Sequence, residues 1–238
     1  MLADNFGNVV HLFERECSIQ RRNQKVIEEA PSIYISEGTR KKMGRVAVQA
    51  AKAIGYTSAG TIEFLVDEHE NFYFLEMNTR LQVEHPVTEE ITGIDIVEAQ
   101  IKIAEDKELF ISQDELVSEG HSIEVRIYAE DPVRFLPSPG HITKVVFPEG
   151  DNIRNETAIT SSITITPFYD PMIAKLIAKG KTRDEAISLL NNGLLQYKIE
   201  GIKTNIPMLL NIINNDAFQA GEITTDFVNE YYTPLIER

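Results

Sequence analysis

GTIEFLVDEHENFYFLEMN, residues 60–78, predicts a β-hairpin, and the fold can be built outward from it. Two runs rich in β-branched and aromatic residues flank the polar segment 68–71, which predicts the turn. With that turn, Asp67 lies opposite Phe72. Counting back along both strands then places Glu63 opposite Glu76, and the next pair on that face brings Asn78 beside them. Ile62, Phe64, Val66, Tyr73, Leu75 and Met77 alternate onto the other face, where we expect them to pack into a core.

Two opposed carboxylates repel each other and destabilise a strand pair. They are compatible with folding if they bind a divalent cation, share a proton, or splay into water. Glu63, Glu76 and the amide oxygen of Asn78 form a hard-oxygen set, which suits magnesium or manganese held together with substrate phosphates. A solvated hairpin face is the alternative.

The segment after the hairpin, TRLQVEHP at residues 79–86, continues the alternation of polar and apolar residues. If the chain stays extended, Arg80, Gln82 and Glu84 lie on the same side as Glu76. An arginine binds a planar anion through two parallel hydrogen bonds, and a carboxylate beside it can take a proton. The segment therefore indicates an anion site next to the metal ligands.

The rest of the chain predicts antiparallel strands and helices in separate runs, an α+β class. Ser36 is a candidate N-cap, Thr182 opens a capping box, and Asn205 is a third candidate cap. Residues 17–25 are interpreted as a polar stretch and residues 28–32 as a loop. The predicted strands are 8–16, 121–130, 141–147, 153–160 and 172–179, and the predicted helices are 38–54, 88–92, 95–104, 182–198 and 205–213.

Composition and charge argue against several classes of function. The 238 residues carry a formal net charge of -14, which argues against a nucleic-acid or anionic-membrane partner. No apolar run reaches the roughly 20 residues that a membrane helix needs. The single cysteine, Cys17, cannot form an internal disulfide and is interpreted as a small buried residue. We therefore expect a cytoplasmic protein.

The run EMNTRLQVEHPVTE, residues 76–89, resembles the signature of biotin carboxylases. Several flanking segments agree: FERECSIQRR at 13–22, EEAP at 28–31, GTIEF at 60–64, RIYAEDP at 126–132, FLPSPG at 135–140, YDPMIAK at 169–175 and GIKTN at 201–205. The resemblance covers essentially the whole chain. It implies the rear part of an ATP-grasp domain at 1–113, the biotin carboxylase C-terminal domain at 119–228, and a tail at 229–238.

The resemblance also implies roles for individual residues. Glu63 and Glu76 would bind magnesium or manganese and contact ATP, with Asn78 assisting. Glu84 would deprotonate bicarbonate for attack on ATP, which forms carboxyphosphate. Arg126 would stabilise the biotin enolate that captures carbon dioxide. The residues implied to bind bicarbonate are Lys25, Arg80, Gln82 and Val83, and those implied to contact the nucleotide from the polar stretch are Gln20 and Asn23.

The sequence departs from the family pattern in two respects. Asn23 stands where the family usually has a histidine, and asparagine has no cationic form. The family's N-terminal domain and the glycine-rich half of its ATP-grasp domain have no counterpart in these 238 residues. We therefore expect the isolated chain to be inactive.

Three hypotheses follow from this resemblance. The chain is a catalytic part that works when joined to the missing half, a non-catalytic truncated or dimerisation fragment, or part of another ATP-grasp ligase. Another ATP-grasp ligase would not be expected to carry Arg80, Gln82 and Glu84 after the metal ligands. The partners implied by the family are a biotin carboxyl carrier protein, a carboxyltransferase component that serves, for example, fatty acid biosynthesis, and a second copy in a homodimer. Arg126 is otherwise interpreted as paired with Glu124 or Glu130.

Overall fold

The computed structural model describes residues 1–233. Its strands are β1 (Leu2–Ala3), β2 (Val9–Val10), β3 (Glu16–Arg21), β4 (Gln24–Ala30), β5 (Ser58–Ala59), β6 (Thr61–Val66), β7 (Phe72–Asn78), β8 (His121–Tyr128), β9 (Gly140–His141), β10 (Lys144–Val146), β11 (Ile153–Thr157), β12 (Thr164–Ile165), β13 (Met172–Gly180) and β14 (Lys198–Glu200). Its α-helices are α1 (Glu37–Ala53), α2 (His85–Thr92), α3 (Ile96–Ala104), α4 (Arg183–Gln196), α5 (Ile206–Ile213) and α6 (Asp216–Ala220). A 3-10 turn at Gln113–Glu115 and a π-helical turn at Val228–Tyr232 complete the described elements.

The chain forms two compact units. The first contains Met1–Glu16 and Ala30–Glu119, and the second contains Cys17–Glu29 and Gly120–Arg238. The division does not follow the order of the chain, because one early segment belongs to the second unit. Helices and antiparallel strands occur in both, so the class is α+β as predicted.

The first unit is built on a small antiparallel sheet with the strand order β2-β1-β5. Helix α1 packs on β2, and α3 packs on β1 and β5. Ser36 caps α1 as predicted, since its side chain accepts a hydrogen bond from the backbone of Thr39. The β6-β7 hairpin forms a separate two-stranded sheet, and α2 follows it in the chain.

The strand predicted at 8–16 is wrong over most of its length. Only Val9–Val10 is a strand in the first part of this segment, and β3 starts at Glu16. Phe13 has a φ of 62°, in the left-handed region that non-glycine residues seldom adopt. A residue in that conformation breaks the extended chain, so residues 11–15 form an irregular segment between two strands.

The second unit contains a five-stranded antiparallel sheet in the order β11-β13-β8-β4-β3. Every residue of β8 is buried, and so is nearly all of β13. Helix α4 packs on both of these central strands, and α5 packs on α4. Burial on both faces explains why the alternating pattern of β8 did not predict which face meets the core.

The polar stretch predicted at 17–25 and the first three residues of the loop predicted at 28–32 instead belong to the edge hairpin β3-β4 of this sheet. Arg22 and Asn23 occupy the turn, with φ values of 52° and 62°. Two consecutive residues with positive φ are typical of a tight hairpin turn, and asparagine is well suited to that conformation. The peptide bond between Ala30 and Pro31 is cis.

The predicted caps of the second unit differ in outcome. Thr182 caps α4 by accepting from the backbone of Glu185, as predicted, although the Glu185 carboxylate accepts from the backbone of Lys181 rather than from Thr182. Asn205 starts α5 but its side chain makes no cap bond. It accepts from the backbone N–H of Tyr128 at 2.8 Å and donates to the carbonyl of Arg126 at 2.9 Å, so this buried amide ties β8 to the start of α5.

The other predicted boundaries shift by a few residues. Of the predicted strands, the one at 153–160 ends earlier and the one at 141–147 is divided between two short strands, and α2 begins before its predicted start. Cys17 is half-buried rather than buried. The tail predicted at 229–238 lies partly outside the described residues. Among residues 1–233, no helix is both long enough and apolar enough to span a membrane.

Candidate active site

The hairpin register places the two carboxylates as predicted. Glu63 pairs with Glu76, and Thr61 pairs with Asn78. Near the turn the predicted register is wrong, because Val66 rather than Asp67 lies opposite Phe72. The loop is therefore one residue longer than expected, and a bulge at Leu75 restores the predicted pairing before Glu76.

The bulge also changes which residues share a face. Tyr73 pairs with Leu65, so it lies on the same side as Glu63 rather than on the opposite face. Phe74 pairs with Phe64, and the ring of Phe64 packs edge-on against that of Phe72 at 5.3 Å. The alternation expected without a bulge holds for β6 and fails for the first half of β7.

The apolar residues of this hairpin do not form the expected core. Large exposed fractions remain on Leu65 at 52%, Tyr73 at 58%, Phe74 at 63% and Leu75 at 52%. Ile62, Phe64, Val66 and Met77 are only half-buried. Within the described residues, the hairpin is an open two-stranded sheet with apolar surface exposed.

Asn78 links the two carboxylates. Its Nδ2 donates to Oε1 of Glu76 at 2.9 Å and to Oε1 of Glu63 at 3.1 Å. An ionised carboxylate only accepts, so the amide nitrogen must face both glutamates. This arrangement offsets the repulsion between them. It also turns the Asn78 oxygen away, so metal binding by all three side chains requires the amide to rotate.

The donor set fits magnesium or manganese. Two carboxylates and one amide oxygen supply about half of an octahedral shell, and Mg²⁺ characteristically takes the remainder from water and phosphate oxygens. No group of three or more His, Cys, Asp or Glu side chains able to hold a metal occurs among residues 1–233. The hairpin therefore offers a partial coordination shell that a phosphate ligand can complete.

Gln82 lies beside this pair, although not by the extended geometry that was expected. β7 ends at Asn78, and the chain turns before α2. Gln82 is buried, and its Nε2 donates to Oε1 of Glu63 at 2.6 Å. Its Oε1 accepts from Nη2 of Arg15 at 2.6 Å. The structure thus brings Gln82 to Glu63 through a turn rather than along a strand.

Arg80 and Glu84 have contrasting surroundings. Arg80 is exposed, and the one hydrogen bond that the structure shows for its side chain within residues 1–233 goes to the carbonyl of Leu81 at 3.1 Å. Most of its donors face solvent and are available to an anion. Glu84 is 2% exposed and directly precedes α2, where the positive end of the helix dipole stabilises a negative charge. Val83 between them is half-buried.

Arg126 pairs with a carboxylate that the sequence did not predict as its partner. Its Nε donates to Oε1 of Glu28 at 2.7 Å, and its Nη2 also contacts this carboxylate. Glu28 was interpreted as a loop residue, but it lies on β4 beside β8 and is fully buried. Of the two predicted partners, Glu124 lies near Lys175 at 3.8 Å and Glu130 pairs with Arg21 at 2.5 Å.

Tyr128 lies on β8, two residues after Arg126. Burial raises the pKa of Tyr128 to about 12, against an opposing effect from Arg126. Its hydroxyl approaches the carbonyl of Lys25 at 3.5 Å. Lys25 and Gln20 are half-buried on β4 and β3, and Asn23 is exposed at the turn between these strands. These residues all belong to the second unit.

Arg15 is the residue of this region that the sequence did not single out. It is half-buried and donates to Gln82, to the hydroxyl of Thr61 at 3.1 Å and to that of Thr88 at 3.0 Å. In the sequence it stands between Glu14 and Glu16, a pattern typical of an exposed charged segment. No local signal indicates that the chain turns it inward.

Two family models match this chain. Residues 1–112 match the family described as carbamoyl-phosphate synthase L chain, ATP binding domain, and residues 124–230 match the biotin carboxylase C-terminal domain. Together these matches define the class of protein as an ATP-grasp part followed by a biotin carboxylase C-terminal domain.

Individual relatives identify the family within this class. Biotin carboxylase 2 of Bacillus subtilis is 59% identical over 231 residues, which are 97% of this chain and 52% of that protein. A biotin carboxylase of Halalkalibacterium halodurans is 62% identical over 96% of this chain and 51% of its own length. The chain belongs to the biotin carboxylase family and corresponds to its C-terminal part. It spans about half the length of the curated relatives it matches.

A solved structure supports the same assignment. The biotin carboxylase domain dimer of the Hydrogenobacter thermophilus 2-oxoglutarate carboxylase, in complex with MgADP, ADP and bicarbonate, matches with a TM-score of 0.96. It is 49% identical, and the match covers 100% of this chain and 52% of that one. The fold predicted from the sequence, the rear of an ATP-grasp domain followed by the biotin carboxylase C-terminal domain, is confirmed.

Proposed function

We propose that this chain supplies the metal-binding and bicarbonate-handling residues of an enzyme that carboxylates biotin with ATP and bicarbonate. The observation that carries the proposal is the opposed pair Glu63 and Glu76, bridged by Asn78 and adjoined by the buried Gln82. This set combines ligands for a hard cation with donors for an anion. The Hydrogenobacter relative was solved with MgADP and bicarbonate, which match both halves of the set.

The first unit would act on the metal, ATP and bicarbonate. Glu63 and Glu76 would hold magnesium or manganese, with Asn78 assisting after its amide rotates. When bound, that cation would neutralise charge on the nucleotide phosphates. Arg80, Gln82 and the backbone at Val83 would orient bicarbonate through directed hydrogen bonds. Glu84, shielded from solvent beside α2, would accept the bicarbonate proton and so increase the nucleophilicity of its oxygen toward the terminal phosphate of ATP.

The second unit would act on biotin and nucleotide. Arg126 keeps its guanidinium fixed against Glu28, and a fixed cation stabilises a developing enolate without reorganising. Lys25 would add positive charge for bicarbonate, while Gln20 and Asn23 would contact the nucleotide. Asn23 lies in the β3-β4 turn, and its amide would donate a hydrogen bond to the nucleotide without the histidine's charge.

We also propose the partners and setting that the family implies. The biotin would be carried by a biotin carboxyl carrier protein, and a carboxyltransferase component would consume the product. The assembly would contain two copies, as in the dimer of the Hydrogenobacter relative. Relatives at about half identity include a pyruvate carboxylase component of Methanothermobacter thermautotrophicus, so several carboxyl acceptors fit. We propose a cytoplasmic setting, and the net charge of -14 argues against binding to nucleic acid or to anionic membranes.

The proposal is tested in a chimera in which the N-terminal half of the Bacillus subtilis relative precedes this chain. We expect ATP hydrolysis that depends on bicarbonate and biotin. Arg80→Ala and Glu84→Gln should each lower it by about 10²–10⁴-fold, the usual contribution of a general base or an anion clamp. The matched control is Glu68→Gln in the hairpin turn, whose side chain is 85% exposed and which should leave turnover unchanged.

Substantial activity in either site variant contradicts the roles given to Arg80 and Glu84. The same assay applied to the 238-residue chain alone should show no biotin-dependent turnover. Robust turnover by that chain contradicts the proposal that it needs the half that its relatives add.

A further inference from the structure

Arg15 lies in the irregular segment between β2 and β3, two residues after Phe13. The left-handed backbone of Phe13 is a conformation that costs free energy in a non-glycine residue, and such residues cluster at functional sites. The segment carries the Arg15 side chain inward to three oxygen acceptors, on Thr61, Gln82 and Thr88. All three acceptors are neutral. The Nε of Arg15 is buried and makes no hydrogen bond within the described residues.

The contact with Gln82 determines how that amide is oriented. A guanidinium has donors and no acceptor, so the group 2.6 Å from Nη2 of Arg15 must be the Gln82 oxygen. The nitrogen of Gln82 is then committed to Oε1 of Glu63, also at 2.6 Å. Neither contact survives if the amide flips, because two donors would meet at Arg15 and two acceptors at Glu63.

The chain of contacts continues to the candidate metal ligands. The Glu63 oxygen that accepts from Gln82 also accepts from Asn78, and Asn78 donates to Glu76. One donor-only side chain therefore sets the direction of hydrogen bonding from Arg15 to Gln82 and on to Glu63. The second hydrogen on Nε2 of Gln82 remains for an anion, since one hydrogen is used by Glu63.

We propose that Arg15 is a positioning residue for the metal and anion site: it locks the Gln82 amide with its nitrogen toward Glu63. The proposal rests on the proposed function for the role of the site, but not for the orientation of Gln82. It predicts that loss of the guanidinium frees the Gln82 amide to rotate, and that Glu63 then loses a fixed donor. Removing residues that orient metal ligands commonly weakens metal binding about 10–100-fold.

Nuclear magnetic resonance of the side-chain amides of the 238-residue chain tests the orientation directly. The Gln82 signals are those that vanish in Gln82→Glu. In the parent chain, the two hydrogens should have well-separated shifts and exchange slowly with water. Arg15→Gln fills the space but both donates and accepts, so the Gln82 signals should move toward those of an exposed glutamine. Arg15→Lys only donates and should retain the separated signals.

Manganese affinity, measured by electron paramagnetic resonance, gives the functional readout. Arg15→Gln should weaken Mn²⁺ binding about tenfold. Adding it to Gln82→Leu should weaken binding no further, because Arg15 acts through Gln82. The control is Arg40→Gln, which removes another partly buried arginine of the same unit, one that pairs with Glu14 at 2.8 Å, and should leave affinity unchanged.

Arg15→Met, which removes every donor, should move the Gln82 signals in the same direction as Arg15→Gln. Unchanged Gln82 signals in both of these variants overturn the proposal, whatever the metal affinity. Equal loss of Mn²⁺ binding in Arg15→Gln and Arg40→Gln also overturns it, since the effect would then be general destabilisation. If the parent chain binds no Mn²⁺ while the Gln82 signals respond as expected, the metal part of the proposed function fails and the positioning by Arg15 stands.

Discussion

Strand β8 and the β6-β7 hairpin have similar sequences and opposite surroundings. Both contain a stretch in which apolar residues alternate with charged or polar ones, and both place a glutamate directly after an isoleucine, at Glu63 and Glu124. Every residue of β8 is buried, whereas β7 is exposed along most of its length. Alternation thus predicts a strand in each case, but it does not predict whether either face is covered.

The charged face of β8 can be buried because neighbouring strands supply opposite charges. Arg126 meets Glu28 on β4, and Glu124 lies 3.8 Å from Lys175 on β13. Burying charges is favourable only when such partners are present. The hairpin has like charges opposed and an amide between them, an arrangement that gains from a cation rather than from burial. The opposite charges on β8 and its neighbours therefore stabilise the sheet, whereas the two like charges of the hairpin are suited to binding a cation.

The largest expected effect is a loss of unfolding free energy in the buried core of the second unit. Phe218 is fully buried and packs edge-on against Phe227, with ring centroids 6.3 Å apart. Phe218→Ala should lower the free energy of unfolding by about 3–5 kcal/mol, from lost transfer energy and the cavity left behind. Phe74→Ala removes the same atoms from a side chain that is 63% exposed and should change stability by no more than about 0.5 kcal/mol.

Urea unfolding followed by far-ultraviolet circular dichroism measures both variants, since the chain has no tryptophan. Comparable losses in Phe218→Ala and Phe74→Ala would remove the contrast between a covered sheet and an open hairpin. Hydrogen exchange then locates the change, which we expect in the second unit for Phe218→Ala.

A smaller effect is expected at a buried ionic cluster of the second unit. Glu29 accepts from His121 at 2.5 Å and from Nε of Arg183 at 2.7 Å. Burial alone raises the pKa of Glu29, but the hydrogen bonds and charges of His121 and Arg183 outweigh it and hold the pKa below its ordinary 4.5. Glu29→Gln should cost about 1–3 kcal/mol of unfolding free energy at neutral pH, because charged hydrogen bonds are lost.

The pH dependence of that cost has a definite sign. A carboxyl group with a lowered pKa in the folded state contributes stability that is fully present above its unfolded pKa and is lost as pH falls through the folded value. The difference between the parent chain and Glu29→Gln should therefore be constant near neutrality and shrink below about pH 4.5. A difference that stays unchanged into that acid range contradicts the assignment.

Local signals in the sequence predicted the elements but not their tertiary surroundings. The caps at Ser36 and Thr182 are local features, and both were predicted correctly. The turn at Asn23 was missed because a polar stretch with two arginines resembles a loop. Asn205 was predicted as a cap from its position, but its hydrogen bonds go to β8, a strand far away in the sequence.

The site was predictable to the same extent. The pairing of Glu63 with Glu76 follows from the hairpin, although the bulge at Leu75 was needed to restore it. Gln82 reaches Glu63 by a turn, so its proximity was predicted for the wrong reason. The role of Arg15 could not be predicted from the sequence, because its inward orientation depends on the left-handed backbone of Phe13 and on acceptors far along the chain.

The smallest expected effect on the free energy of unfolding concerns the opposed carboxylates Glu63 and Glu76. Glu76→Gln removes one of two like charges that face each other across the hairpin, and it should raise the free energy of unfolding by about 0.2–1 kcal/mol. The same change removes an anionic ligand and should weaken Mn²⁺ binding. Glu68→Gln, in the exposed turn, removes an equal charge without an opposed partner and should do neither. A site retained for function is less stable than its neutral variant, so destabilisation by Glu76→Gln would show that the pair is structural.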